Sequence, residues 1–585
     1  MKRIWRRTAV GLGVIALVAA VFVTAGGAGA QRLGPSGKSS PLAGYPRNQT
    51  LITSGSQWGN ITGTNPWVGG AATGTVGLLY ETLLRFDPIK GNYIPWLASS
   101  ASFVGSSKYL INVRPGIRWS DGHPFTASDV AFNLNLARFD TNPWNNLYLN
   151  VQKVVPKGNT VTITFKSTPN YVQWQNMMYN MPMVDPAQAK PVITTAAALT
   201  TYSPAKPIGT GPYTFDVAGY DPTTRVVYDK NPIWWAAKLG VSPSPKPKYI
   251  IDLVNTSNTN SLSAVLAGVE DLNNNYLPGV QQLVNSGKVQ TYYKKAPYML
   301  SANTAWLEPN TTHVPLNDPV FRRALATAIN INQIVTQDYG NLVLPASPTG
   351  LLPTWSKYID KTAVKQYGFS YGTAKAVAML TAAGYKKDSS GYFMNKDGTK
   401  INLDLSVPQG WSDWEAARDM IISSAKAAGI QITAKVKDYN TWRSDRNTGA
   451  FDLVVDNNYQ ISDNPWTYWN GLFHLPILTT GTGQTNFNFE RYSNPTAWAL
   501  VQKLDATPPQ NTAAIQEINS KLETIEMQQL PMIPLWYNGQ WAQFVSKYWT
   551  NWPSSTTTRQ YTPVMWNGYL QMTGIDVITH LAPKA

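Results

Sequence analysis

Between Tyr109 and Asn135 the chain reads YLINVRPGIRWSDGHPFTASDVAFNLN, and this stretch gathers residue types that do chemistry: Asp121, His123 and Asp129, with Arg114 and Arg118 beside them. An aspartate two residues from a histidine is the start of an acid–base pair or of a metal site. Either needs partners from elsewhere. The chain has four histidines, His123, His313, His474 and His580, and none lies within four residues of another. It contains no HExxH, no GxxxxGK[ST] and no GxSxG, so zinc-protease, phosphate-loop and nucleophile-elbow chemistry have no motif. The glycine-rich pieces IGTGPY (Ile208 to Tyr213) and TTGTGQT lack the third glycine and the helix of a dinucleotide site. Nothing marks two of the 33 acidic residues as a glycosidase pair, although that separation is set by the tertiary fold. A secreted glycan-active hydrolase therefore stays an alternative. The absence of cysteine excludes disulfides, thiolate metal sites, a cysteine nucleophile and a lipid-bearing N-terminal cysteine. No metal and no cofactor is expected.

Aromatic residues offer a different chemistry. The chain carries 22 tryptophans and 30 tyrosines, and many tryptophans sit among turn residues. Examples are Trp58, Trp67, Trp411, Trp414, Trp442, Trp466 and Trp469. An indole face stacks on a sugar or another flat polar ligand while neighbouring amides and carboxylates take its hydroxyls. For each ring taken alone, core packing is the competing reading.

The elements that must position these residues alternate in type. TLITSG, TVTITFKS (Thr160 to Ser167) and FDLVVDNN read as strands. TGTVGLLYETLLRFDP has apolar residues at helical spacing (Val76, Leu79, Leu83) and is stopped at Asp87-Pro88. PVFRRALATAINI is a helix with Pro319 in its first turn and Asn317 or Asp318 as cap. EAARDMIISSAKAAGIQITAKVKD is a helix ended by Gly429 and followed by a strand; NTAAIQEINSKLETIEMQQL is a long helix; PMIPLWYNGQWAQFV reads as a strand hairpin. This mixture gives α/β or α+β lobes, and no repeat period is present.

The chain's 585 residues suffice for two or three lobes. Residues 1–30 have the form of a signal peptide: Lys2, Arg3, Arg6 and Arg7, then an apolar run from Val10 to Val23, then Ala28 to Ala30. Cleavage is expected after Ala30; an uncleaved anchor is the alternative. Losing these four cations takes the net charge from +15 to +11. The remaining cations are scattered, with no basic run and no basic helix, so nucleic acid is not an expected partner. Residues 31–47, rich in Gly, Pro and Ser, read as a flexible leader.

Five stretches, in order and across nearly the whole mature chain, resemble one family. They are LLYETLLRFDPIKGNYIPWLASS, NVRPGIRWSDGHPFTASDVAFNL, IGTGPYTFDVAGYDPTTRVVYDKNPIWW, NDPVFRRALATAINI and LPMIPLWYNGQWAQFV. The family is solute-binding family 5 of the ABC importers, whose members take oligopeptides, dipeptides, nickel or cello-oligosaccharides. The resemblance turns the Tyr109–Asn135 stretch into architecture. Asp121-Gly122 becomes a tight turn, Thr126 or Ser128 with Asp129 a helix cap, Arg114 and Arg118 packing or ion-pair partners, and His123 a turn residue.

The resemblance implies a two-lobed periplasmic-binding-protein-like type II fold of mixed α/β (α+β) class, with the ligand cleft between lobes. Lobe I is expected over 48–82, 205–300 and 525–585, an extra subdomain over 83–204, and lobe II over 301–524. It implies a monomeric, non-catalytic protein; the signal-like N-terminus makes export the expectation, periplasmic or at the cell surface, and the lack of cysteine means it is not expected to be a lipoprotein. Such a protein passes its ligand to a membrane permease and a separate ATPase; a receptor acting without a transporter is the other alternative. It also implies an aspartate on lobe II that meets a peptide's amino terminus. Asp463 is the candidate here, with Asp456 behind it. The surroundings, Asn457, Asn458, Tyr459, Asn464, Trp466, Tyr468 and Trp469, look more like the oligosaccharide branch, so peptide and oligosaccharide both stay open. The expected ligand contacts are Trp58, Asn60, Asn65 and Trp67 on lobe I, Asn303 and Trp306 at the crossing strand, and Trp411, Trp414, Asn457, Asp463 and Trp466 on lobe II.

Overall fold

The computed structural model describes residues 42, 44–54, 61, 63–68, 71–457, 461–477, 487–563 and 571–584. Residues 1–46 and 47–585 are separate units. In the first, Leu42 and residues 44–46 form a turn in which the Tyr45 N–H donates to the Leu42 carbonyl at 3.1 Å. The rest concerns the second unit.

Among the described residues two six-stranded sheets and one four-stranded sheet carry the fold. The first sheet runs Gln543–Phe544, Leu272–Asn273, Thr50–Ser54, Tyr249–Leu253, Arg225–Lys230, Tyr213–Phe215. Thr50–Ser54 is parallel to both neighbours and buried throughout, as expected for a strand covered on both faces. The second sheet runs Leu344–Pro345, Ile533–Gln540, Leu300–Pro309, Leu453–Asp456, Leu403–Pro408, Ile432–Lys437. These sheets are the centres of lobes I and II. The third, Ala98–Val104, Lys108–Val113, Thr160–Phe165, Val151–Lys157, is an antiparallel meander in the extra subdomain.

Three expectations change. The Val76–Leu83 run is turns and isolated bridges, followed by the strand Leu84–Asp87. Leu78, Leu79, Tyr80, Leu83 and Leu84 are all buried, so there is no solvent face for a helix to present. Gly74 and Gly77 also take positive φ of 91° and 104°. The PMIPLWYNGQWAQFV segment is not a hairpin. Ile533–Gln540 pairs with Leu300–Pro309 in the second sheet, and Gln543–Phe544 pairs with Leu272–Asn273 in the first. Consequently the chain rejoins the first sheet at Gln543, not near 525.

The signature stretches meet around one buried carboxylate. Glu81 accepts from the indole N–H groups of Trp96 at 2.9 Å, Trp234 at 3.2 Å and Trp235 at 2.7 Å. The Arg85 guanidinium lies over the Trp96 ring at 4.8 Å, and that of Arg114 over Trp235 at 5.8 Å. Gly209 and Gly211 are required nearby, since a Cβ there would stand 1.9 Å from the Leu79 carbonyl oxygen or 2.1 Å from that of Leu78. In the Tyr109–Asn135 stretch, the backbone N–H of Gly122 donates to the Trp119 carbonyl at 2.9 Å. Thr126 and Asp129 form a reciprocal capping box, and Arg118 donates to the Gly122 carbonyl at 2.7 Å. His123 stands between Asp121 at 2.6 Å and Asp185 at 3.2 Å.

Candidate interlobe binding site

Two long strands carry the chain between the lobes and form the base of the cleft. Leu300–Pro309 enters lobe II and Ile533–Gln540 leaves it, antiparallel, with Asn303 opposite Asn538 and Leu300 opposite Gln540. Their β-branched, leucine and aromatic content suits a covered sheet. The amides are the exception: Asn303, Asn538 and Gln540 are all buried. Among the described residues the Asn538 Oδ1 and Gln540 Oε1 atoms have no donor, and buried polar atoms of that kind call for water or a ligand. The side-chain amide of Asn303 donates to the Asn457 carbonyl. It thereby ties the crossing strand to the loop that follows Leu453–Asp456.

One wall belongs to the extra subdomain: the hairpin Leu84–Asp87/Asn92–Pro95 and the helix Tyr171–Asn180. The other belongs to lobe II: residues 461–465 and the helix Trp466–Phe473, whose first N–H, that of Trp466, donates to Asn464 Oδ1 at 2.9 Å. The walls touch. Asn176 Nδ2 donates to Thr467 Oγ1 at 3.4 Å. Asp505, at the end of the lobe II helix Pro495–Asp505, accepts from Asn170 Nδ2 at 2.8 Å and from Gln173 Nε2 at 2.6 Å. It also accepts from the Gln173 backbone N–H at 3.1 Å. Asn170 is the N-cap of Tyr171–Asn180, so a carboxylate of one lobe caps a helix of the other. An apolar cluster continues from the subdomain into lobe II. The subdomain and lobe II are thus in contact across the cleft, as in a closed arrangement of the lobes.

Asp463 lies at this junction. Its carboxylate accepts from Asn464 Nδ2 at 2.9 Å, and burial pushes its pKa up. Three tyrosines approach it. Tyr93 and Tyr179 come from the subdomain, with ring centroids 5.6 Å apart, and Tyr358 comes from lobe II. Burial raises the pKa of each hydroxyl, and the Asp463 charge adds to it. The buried Tyr93 hydroxyl faces the carboxylate without closing a full hydrogen bond. Among the described residues the groups that act most strongly on Asp463 are the Tyr93 hydroxyl and the Asn464 amide.

The expected contacts divide into groups. Trp58 and Asn60 lie outside the described residues. Asn65 is buried; its amide N–H donates to the Leu199 and Thr200 carbonyls and its oxygen accepts from the Trp67 N–H. Trp67 packs on Tyr202 at 5.8 Å. This pair braces its own lobe. Trp306 is fully buried and stacks on Tyr468 at 5.8 Å. Trp414 is also buried, in the lobe II core, and joins Trp411, Trp442 and Tyr439 in one ring cluster. Trp466 is buried at the junction, and its indole N–H has no acceptor among the described residues. Core packing therefore claims more tryptophans than their turn settings imply: among the described residues Trp306, Trp414, Trp442, Trp466 and Trp469 are all buried. Tyr93, Tyr179, Tyr358, Asn538 and Gln540 were not among the expected contacts. The amides had a legible signal, since Asn and Gln are poor residues for the middle of a covered strand.

The family model described as bacterial extracellular solute-binding proteins, family 5 Middle, matches residues 92–476. A mannohexaose-bound periplasmic oligopeptide-binding protein of an ABC transporter from Thermotoga maritima is 34 % identical. The likeness covers 92 % of this chain and 99 % of that one, with a TM-score of 0.85. The oligopeptide-binding protein OppA of Lactococcus lactis subsp. lactis (strain IL1403) is 24 % identical over 71 % of this chain and 72 % of its own. At 18 % identity, the nonapeptide complex of AppA from Bacillus subtilis shares the fold, with a TM-score of 0.71 over 92 % of this chain.

Proposed function

The chain belongs to the bacterial extracellular solute-binding proteins of family 5, and from that premise we propose that its cleft captures an oligosaccharide of the mannohexaose kind for an ABC importer. The likeness to the mannohexaose-bound protein, at 34 % identity over almost the full length of both chains, carries this reading. The setting of Asp463 supports it. A carboxyl pushed toward its neutral form and ringed by tyrosine hydroxyls suits a sugar hydroxyl better than an ammonium group. Binding itself supplies the work. A ligand that touches both walls makes contacts available only in the closed form, and so shifts the population to it. No covalent step is involved. In this reading residues 1–30 direct export, the protein acts as a monomer, and a membrane permease with its ATPase receives the closed form.

Peptide capture is the second reading, favoured by the oligopeptide-binding relatives and by the presence of Asp463 at the junction. Calorimetric titration with mannohexaose, cello-oligosaccharides and di- to pentapeptides separates the two. Heat with sugars, retained in Asp463→Asn, is expected. Binding of peptides alone, abolished in Asp463→Asn, would reverse the assignment.

A further inference from the structure

Lobe II holds a cavity of about 170 Å³ that the interlobe cleft does not account for. It lies at the Leu453 end of the strand Leu453–Asp456, whose other end leads into residues 457–463 of the cleft. Four pieces of chain line it: His313, in the turn after Leu300–Pro309; Asp404 and Ser406 on Leu403–Pro408; Lys437 at the end of Ile432–Lys437; and residues 450–453. Strand alternation puts the two polar residues of Leu403–Pro408 there. Leu403, Leu405 and Val407 enter the lobe II core, so Asp404 and Ser406 face the other way. The helix Tyr439–Thr448 ends at Gly449, which takes a positive φ of 81°. The chain then returns to the sheet through residues 450–453, with Leu453 paired to Leu405.

Part of this lining is bound to itself. Asp452 Oδ2 accepts the backbone N–H of Asp404 at 3.0 Å, and its Oδ1 stands 2.8 Å from His313 Nδ1. Asn310 Nδ2 is 3.3 Å from His313 Nε2. An amide nitrogen only donates, so Nε2 accepts and the Nδ1 proton goes to Asp452. His313 and Asp452 are therefore a fixed wall. Ser406 is different. It is 3 % exposed, and its hydroxyl has no partner among the described residues. A buried hydroxyl of that kind calls for water or a ligand. Two opposite charges line the same space. The Asp404 side chain is 47 % exposed, with Lys435 Nζ at 3.7 Å. Lys437 Nζ donates to Asp445 Oδ2 at 2.6 Å, which uses one of its three protons. Phe451 and Leu453 add apolar surface.

We propose that this cavity is an accessory site for a small zwitterionic α-amino acid, separate from the interlobe cleft. Asp404 accepts from the ligand's ammonium group, Lys437 donates to its carboxylate, and the Ser406 hydroxyl donates to the same carboxylate from the buried side. Charge selects the class. A neutral sugar leaves both Asp404 and Lys437 unused, and a simple cation or anion uses only one of them. A metal ion has no support, since among the described residues no three His, Asp or Glu side chains are placed to hold one. Volume selects the size. A cavity of about 150 Å³ holds one benzene ring, so 170 Å³ admits about six to eight non-hydrogen atoms. Alanine, serine and threonine fall in that range; a hexose, with about twelve such atoms, does not.

Calorimetric titration of the full chain with alanine, serine and threonine tests this. At least one of them should bind with a dissociation constant below about 5 mM. Asp404→Asn and Lys437→Gln should each weaken it by about 10- to 100-fold, the size of one lost hydrogen bond to a charged group. Ser406→Leu, which fills the cavity, should abolish it. Asp463→Asn, in the interlobe cleft, should leave this binding unchanged. Acetate and ethylamine, which carry one charge each, should bind at least about tenfold more weakly than the amino acid. Four results would overturn the proposal: no binding of any of the three below about 5 mM, binding indifferent to the cavity variants, binding lost in Asp463→Asn, or acetate or ethylamine binding as tightly as the amino acid. If Ser406→Leu does not fold by circular dichroism, Asp404→Asn and Lys437→Gln decide, since both side chains are partly exposed.

Discussion

Asp505→Ala tests whether the contact between subdomain and lobe II belongs to the closed form only. The carboxylate accepts three hydrogen bonds from Asn170 and Gln173, and a hydrogen bond to a charged group contributes about 1.5–3 kcal/mol. Against that stands the desolvation of Asp505, whose pKa burial pushes up, a penalty of several kcal/mol. Truncation also leaves the Gln173 N–H without an acceptor. The net effect on the closed form is about 2–4 kcal/mol. In the open form water replaces all three partners, so the unliganded protein should keep its melting temperature. Because the ligand draws on the closed form, affinity should fall by about 30- to 1000-fold, with Asp505→Asn between. Isothermal titration with mannohexaose, or with whichever sugar or peptide binds, gives the affinity; scanning calorimetry without ligand gives the control. Affinity within twofold of the native value would refute the reasoning. So would a loss of unliganded stability as large as the loss of affinity, since the contact would then persist in both forms.

Glu81→Ala, which strands three buried indole N–H groups, should lower unfolding stability by more than about 3 kcal/mol in urea. Burial outweighs those donors and pushes Glu81 up to about 7. Its contribution is therefore full below pH about 4.5 and lost as pH rises to about 7. The stability gap between the native protein and Glu81→Gln should change by up to about 3 kcal/mol over that window; a constant gap refutes it. Trp466→Ala should weaken ligand binding by about 1–3 kcal/mol if the ring stacks on the ligand, and unchanged affinity removes Trp466 from the site. Gly350→Ala sets a Cβ 1.9 Å from the Tyr468 hydroxyl at a φ of +70°. It should lower the melting midpoint, the strain being about 1–3 kcal/mol; an unchanged midpoint would show that Tyr468 yields freely.

Local rules made the regular elements legible. Asp318 caps Pro319–Ala328, with Val320 N–H on its Oδ1 at 2.8 Å, and strict alternation gave the strand Thr160–Phe165. Such signals live within a few residues of sequence. The Val76–Leu83 run misleads because residues buried on every side satisfy any period. The tryptophans mislead for a related reason. Their turn-like neighbours describe the backbone, whereas the side of the chain from which another element covers the ring is a tertiary fact. Trp414 shows it: three residues from Gly-Trp, in a setting that reads as a loop, it is sealed into the lobe II core. The tyrosines around Asp463 were illegible for the same reason, since Tyr93, Tyr179 and Tyr358 are far apart in sequence and are gathered by the closing of two bodies.

Leu300 and Gln540 are opposite each other in the crossing strands, so the roughly 240 residues between them leave and return at neighbouring points. Lobe II is therefore an insertion with adjacent ends. Its presence constrains the rest of the chain no more than a short loop would, because loop-closure entropy depends on the distance bridged and only weakly on the length enclosed. Such a piece can drift, be exchanged between relatives, or be replaced whole without rethreading lobe I. In a receptor of this plan, lobe I and its signature stretches are free to stay fixed for the transporter while the inserted lobe is revised from one nutrient to the next.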